Sequence, residues 1–286
     1  MTVRLATGPV SWGVDFAAAP QNPPYAEVLD GAAAAGFRWL ELGPLGYLPS
    51  DAGEQLAARG LGLTAGFVFE PLHDPGRLAG VLAAADATAT RVTEAGGRFL
   101  VIIDAVSPER AATAGREGAA PRLRGASLAA LHRAVDAVAG VALRRGLRPV
   151  LHPHSGSHVE FADEIEPLAE IAELCLDTGH LAYAGIDPAE AYRRWADRVP
   201  YLHLKDLDPE RLAPDFWGSV RAGAFRPLGE GVVDLAALAA ALAAHGYDGW
   251  AAIEQDRDPA APGDPVGDLV ASRRHAEALL LGVEAA

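Results

Sequence analysis

The 286-residue chain is half hydrophobic and 22% charged, with a formal net charge of −14. This is ordinary globular composition, which excludes disordered, collagen-like and coiled-coil chains. The acidic balance and the lack of a clustered basic face argue against nucleic acid or an anionic membrane as partner. A single cysteine, Cys175, excludes an intrachain disulfide and suits a reducing compartment. The N-terminal MTVRLATGPVSWG lacks the apolar core of a signal peptide, and no run approaches the ~18 apolar residues of a membrane span. The expected location is the cytoplasm.

Apolar runs read as buried strands at Arg4–Ser11, Arg38–Gly43, Leu63–Phe69, Arg98–Asp104, Arg148–His154, Glu173–Asp177, Val199–Asp206 and Gly249–Gln255. Helix-period segments alternate with them near 26–35, 51–59, 77–95, 125–146, 163–172, 188–197, 234–245 and 265–281. Asp234 before LAALAAALAAHG and Gly246 after it give one helix its start and stop, and Asp187-Pro188 opens another. Eight strands alternating with helices predict a parallel sheet closed into a (β/α)8 TIM barrel. No G-x-G-x-x-G follows the first strand, which argues against an open doubly wound sheet. About 150 residues per domain would suggest two domains, but barrels of this class run to ~250 as one. The expectation is a single domain over 1–286. Its loop insertions lie near 107–124, read as a mobile loop over the barrel mouth, and near 207–231.

Active sites of such barrels form at the C-terminal strand ends. Here those ends read LHPHSGSHVE, CLDTGH, YLHLKD and AIEQD, and five of the nine histidines fall between His152 and His203. Strand alternation puts His152 with His154, His203 with Lys205, and Glu254 with Asp256 on shared faces. The last four strands thus deliver His152, Asp177, His203 and Glu254 to neighbouring points. Two imidazoles and two carboxylates without thiolate suit one divalent ion: Mn, Co, Fe or Zn. Lys205 is the only lysine, against 23 arginines, which points to a need for a compact, titratable ammonium.

The motifs DTGH, HLKD, PLGEGVVDL and IEQD, with SWG on the first strand and ELGPLGYLP on the second, resemble the sugar phosphate isomerase/epimerase superfamily. Its members are xylose isomerase-like barrels, and the resemblance is closest to inosose (2-keto-myo-inositol) dehydratase-like proteins. It implies a divalent metal held from the last four strands, and Asp177, His203 and Glu254 match the implied ligands. The family's glutamate on the fifth predicted strand is replaced by His152. That replacement leaves Glu254 alone of the glutamate pair that family isomerases use as acid and base. It also raises the ligand-set charge from about −3 to about −2, making a stronger Lewis acid.

The resemblance implies proton abstraction beside the carbonyl of a small polyhydroxylated substrate, by an isomerase or epimerase. The alternatives are a dehydratase of 2-keto-myo-inositol or a related keto-cyclitol, and a non-catalytic metal- or sugar-binding barrel. Glu254, Lys205 and His180 are the expected catalytic groups, with His180 either touching a substrate hydroxyl or supporting the site from behind. An isomerase requires a second carboxylate near the substrate, Glu160 being the first candidate; a dehydratase requires an acid such as His154 or Lys205. Expected substrate contacts are His154, Trp12, whose ring would face a sugar, Glu41, which would bind a polyol or hold a lysine from behind, and Arg226. With the glycines of Gly229-Glu230-Gly231, Arg226 offers either a phosphate site or a tight turn. His73 and Glu70, just after the third predicted strand, either reach the mouth or form a solvated loop pair, and His158 with Glu160 would orient the loop after the fifth. Family barrels pair, so a homodimer or higher homo-oligomer is expected.

Overall fold

The computed structural model describes residues 1–280, so the last predicted helix position, 281, lies outside the described residues. The strands are β1 (Thr2–Thr7), β2 (Trp39–Leu40), β3 (Gly62–Leu63), β4 (Ala65–Glu70), β5 (Phe99–Asp104) and β6 (Arg148–Leu151). They continue with β7 (Glu173–Asp177), β8 (Tyr201–Leu204), β9 (Asp206–Leu207), β10 (Phe225–Arg226) and β11 (Asp248–Ile253). The helices are α1 (Tyr25–Ala34), α2 (Ala52–Ala57), α3 (Leu78–Glu94), α4 (Pro108–Ala111), α5 (Gly125–Arg144) and α6 (Ala162–Ala169). After them come α7 (Thr178–Tyr183), α8 (Pro188–Trp195), α9 (Phe216–Arg221), α10 (Leu235–His245) and α11 (Pro265–Leu280).

A nine-stranded sheet runs β3-β2-β1-β11-β8-β7-β6-β5-β4, parallel throughout. β3 and β4 are halves of one strand interrupted at Thr64, whose N–H donates to Leu40 and whose carbonyl accepts from Arg98 and Phe99. Counted as one, they close an eight-stranded barrel. Alternation sends Ala6, Ala65, Phe99, Val101, Val150, Cys175, Tyr201, Trp250 and Ala252 inward as one cluster. Edge-to-face Trp39 and Trp250, with ring centroids 4.9 Å apart, pack in this interior with Phe99 and Tyr201, 4.8 Å apart. The opposite faces pack on the helices in the main core. α5 is long and apolar enough to cross a membrane, which the reading of apolar runs did not anticipate. It lies instead in the barrel's outer layer, burying Leu131, Val135, Val138 and Ala142 and packing on α3, β5 and β6.

Strands end earlier than the apolar runs because prolines remove N–H donors. Pro9 turns the chain into a 3-10 turn over Pro9–Trp12, and Pro153 follows β6. Asp234 caps α10 by accepting from the Ala237 N–H at 2.8 Å, and Gly246 closes it with φ +71°.

Both insertions are folded. In 107–124, Ser107 caps α4, and the fully buried Arg110 guanidinium donates to both Glu164 oxygens (2.8 and 2.9 Å), to Glu160 Oε2 (3.2 Å) and to the Pro121 carbonyl (3.0 Å). The segment expected to be a mobile loop is therefore tied to α6 through a buried ion-pair network. In 207–231, β10 pairs antiparallel with β9, and α9 lies over the mouth. Ala111, Ala114, Tyr183, Phe216, Val220 and Phe225 join the two insertions and α7 in a separate apolar cluster.

Candidate active site

The register fixes the centre of the site: Asp177 stands level with His203, and His203 with Ala252, two residues before Glu254. Asp177 Oδ1 caps α7, accepting from the N–H groups of Gly179 (2.9 Å) and His180 (3.0 Å). Its other oxygen, Oδ2, faces side chains only: His152 Nε2 and Lys205 Nζ at 3.3 Å each, His203 Nδ1 at 3.7 Å and His180 Nε2 at 4.0 Å. His203 is aimed by its far nitrogen. Nε2 bonds Glu41 Oε1 at 3.0 Å, and that oxygen also accepts from the Tyr201 hydroxyl at 2.7 Å. Its Nδ1 is buried without a hydrogen-bond partner, 3.1 Å from Glu254 Oε2.

This arrangement fits a divalent cation. A buried imidazole nitrogen without a partner faces two carboxylates, and a third carboxylate orients the ring from behind, as ligating histidines are commonly held. His152, Asp177 and His203 each offer a donor atom within 4.8 Å of the others, as do Glu41, His203 and Glu254. Nitrogen and oxygen donors suit Mn, Co, Fe or Zn.

Lys205 lies at the centre of the charges. Its Nζ donates to Asp256 Oδ1 at 2.6 Å and lies 3.4 Å from Glu254 Oε2. Burial alone would strip its proton, but Asp177, Asp256 and Glu254 outweigh burial and hold the ammonium well above the ordinary lysine range. Burial pushes the Glu254 carboxyl up, yet His203 and Lys205 pull it down to about 2, so it is ionised. Gly8 leaves room for it: a Cβ there would meet Glu254 Oε1 at 2.7 Å.

The other expected residues divide into two groups. His154 and Glu41 line the pocket with His152, His203, Lys205 and Glu254. Burial, reinforced by His152 and Lys205, drives His154 down to about 3, and its Nδ1–H donates to the Ser155 carbonyl at 2.9 Å. It is neutral, with Nε2 left as acceptor. Glu41 is spent on His203 and Tyr201, so it holds an imidazole ring and a phenol where a polyol or a lysine was expected. His180 does not line the pocket; it stacks under His154, with centroids 3.9 Å apart, and stands 3.3 Å from Lys205 Nζ. It positions other groups.

Three residues lie elsewhere. Trp12 is buried against α1, where a Cβ on Gly31 would meet its ring at 2.9 Å, and does not line this pocket. Arg226 pairs with Glu230 outside the pocket, at 2.6 Å. The glycines beside it wrap a carboxylate of the chain itself: the N–H groups of Gly229 and Gly231 both donate to Asp206 Oδ2 at 2.9 Å, which leaves no phosphate cradle. Glu160 is buried between Arg110 and the Gly115 N–H (2.7 Å), turned away from the mouth.

Two carboxylates were not among the expected site residues. Asp256 shared a face with Glu254, a visible signal left unused. Asp15 lies in the loop after β1, where no motif marked it, and lines the pocket together with the apolar Phe67, Phe69, Ile103, Phe216, Trp217 and Val220.

The family described as xylose isomerase-like TIM barrel matches residues 29–278. The chain belongs to that family. An inosose dehydratase of Geobacillus kaustophilus is 29% identical over 275 residues, 90% of this chain and 88% of that protein. One from Clostridium botulinum is 35% identical over 130 residues, 42% of this chain and 44% of its own length. Among solved structures, an L-ribulose 3-epimerase superposes with a TM-score of 0.74 at 18% identity, covering 98% of this chain and 95% of that one. The IOLI protein with a bound zinc atom gives 0.73 at 13% identity, covering 99% and 100%. At those identities the likeness is one of fold.

Proposed function

We propose that the protein is a divalent-metal-dependent dehydratase of small cyclic polyhydroxylated ketones, with 2-keto-myo-inositol the first to test. The reading rests on where the carboxylates stand. A two-glutamate proton relay, as an isomerase or epimerase of this family uses, needs a glutamate after β6 as the partner of Glu254. The position after β6 holds His152, and Glu160 is committed to Arg110 and Gly115. What faces Glu254 is nitrogen, His203 Nδ1 at 3.1 Å and the Lys205 ammonium at 3.4 Å. An anionic base beside a cation suits enolisation followed by loss of a hydroxyl. Similarity to one inosose dehydratase over nearly the whole chain, and to others over part of it, supports the same choice.

Asp177, His203 and Glu254, with His152 beside Asp177, are the residues that would hold the metal. When bound, the ion supplies Lewis acidity toward a carbonyl and its neighbouring hydroxyl. Glu254 takes the proton from the carbon next to the carbonyl. Lys205 opposes the negative charge that then develops on the carbonyl oxygen. His154 Nε2 accepts a hydrogen bond from a ring hydroxyl, while Phe69 and Trp217 face the apolar C–H surface of the ring.

The test is incubation of metal-loaded enzyme with 2-keto-myo-inositol in D₂O. Loss of water with new enone or diketone absorbance is the expected result. A deuterated, isomerised ketone without elimination would overturn the reading in favour of an isomerase or epimerase.

A further inference from the structure

Elimination of water needs a proton for the departing hydroxyl, and the pocket's acidic groups differ in how far they are committed. Lys205 Nζ is held among Asp177, Glu254 and Asp256. Asp256 is paired with Lys205, and the His154 ring N–H is given to Ser155. Asp15 lines the same pocket and has no side-chain hydrogen bond or ion pair among the described residues.

Its placement is rigid. Trp12 is buried, Gly13 turns the backbone with φ +78°, and its N–H donates to the Val10 carbonyl at 2.8 Å. A Cβ on Gly13 would meet the Pro259 nitrogen at 2.6 Å, so only glycine lets this turn sit against the loop after β11. Val14 is completely buried, and Asp15, the next residue, faces the cavity.

Resting on the dehydratase reading, we infer that Asp15 is the catalytic acid that protonates the leaving hydroxyl in the pocket it shares with Glu254. Glu254 takes the proton from the carbon beside the carbonyl, and the electron pair of that C–H bond becomes the new C=C bond. The C–O bond at the next carbon breaks, its pair leaving with the oxygen, which takes the Asp15 proton and departs as water. Afterwards Glu254 is protonated and Asp15 ionised; exchange with solvent resets both, and no oxidant or reductant is needed.

The titratable groups facing the same cavity are Asp256 and Glu254 after β11, Lys205 and His203 from β8 and its end, His152 and His154 after β6, and Glu41 after β2. Burial and then the Asp256 charge raise the Asp15 carboxyl to about 7, against the opposing pull of Lys205. Near neutrality it both holds and releases a proton, as a general acid must.

The experiment compares wild type, Asp15→Asn and Glu254→Gln, each metal-loaded, with 2-keto-myo-inositol in D₂O. Asp15→Asn is expected to lose elimination by about 10²–10⁴-fold while still exchanging the C–H hydrogen for deuterium; Glu254→Gln loses both. The wild-type rate should fall as pH rises through about 7. A substrate carrying fluorine at the leaving position needs no proton donor, so it should restore elimination to Asp15→Asn, which a merely structural role would not allow. If wild type eliminates and Asp15→Asn does so equally well, or if the fluorinated substrate gives no rescue, the role of Asp15 is overturned. Wild type that exchanges without eliminating overturns the dehydratase reading, and the acid role with it.

Discussion

Two buried aspartates end parallel strands of this barrel, Asp104 flanked by two histidines and Asp177 by three, and they do different things. Asp104, at the end of β5, is saturated. Oδ1 accepts from the His73 N–H (3.1 Å) and ring Nδ1 (2.7 Å), and Oδ2 from the His158 N–H (3.0 Å) and ring Nδ1 (3.3 Å). It ties the loop after β4 to the loop after β6. Asp177, at the end of β7, spends one oxygen on the α7 N-terminus and leaves the other among imidazoles and an ammonium. Donor types within 4.8 Å of one another are present in both clusters. What separates a clamp from a site is whether the backbone has already satisfied the carboxylate.

The contrast is sharpened first at Glu254. Glu254→Gln should lower turnover by about 10²–10⁴-fold, the usual worth of a positioned proton-transfer group, measured as product formation at saturating substrate. Next, Glu41→Gln leaves every proposed ligand in place but loosens the His203 ring; metal affinity should drop about 10–100-fold in a competition titration with a chelator. On the other aspartate, Asp104→Asn should leave metal affinity unchanged and cost about 1–3 kcal/mol of stability, since a carboxylate acceptor is lost from a buried network. Denaturant unfolding measures that cost.

The smallest effect is a pH dependence of stability. The hydrogen bond to Asp104 raises His73 from 6.5 against opposing burial, so the folded state binds its proton more tightly than the unfolded chain. The stabilisation is therefore complete below pH 6.5 and is lost as pH rises through the raised value. The expected result is a melting temperature with a component that declines above pH 6.5 in wild type and is missing in His73→Asn.

Much of this was legible before any coordinates. Barrel closure follows from eight apolar runs alternating with capped helices, and strand parity alone brings His152, His203, Lys205 and Glu254 to one mouth. What parity cannot show is commitment. Glu160 reads as a free acid until Arg110, fifty residues earlier, is found buried against it. Trp12 follows the first strand as a sugar-stacking aromatic would, but the missing side chain of Gly31 opens a slot for it against α1. Gly229 and Gly231 look like a phosphate loop, and their N–H groups go to Asp206. Asp15 carries no motif because its position depends on a glycine turn fitted to Pro259, two hundred and more residues away. Local pattern finds the strands and their polar ends; long-range partners decide which of those ends remain available for chemistry.

The measurement that tests the central claim most directly is metal content by elemental analysis of wild type, Asp177→Asn and Asp104→Asn. A single Mn, Co, Fe or Zn per chain in wild type and Asp104→Asn, lost in Asp177→Asn, is the predicted result. No bound metal under any supplementation, or equal loss in both variants, would contradict the assignment of the Asp177 cluster as the metal centre.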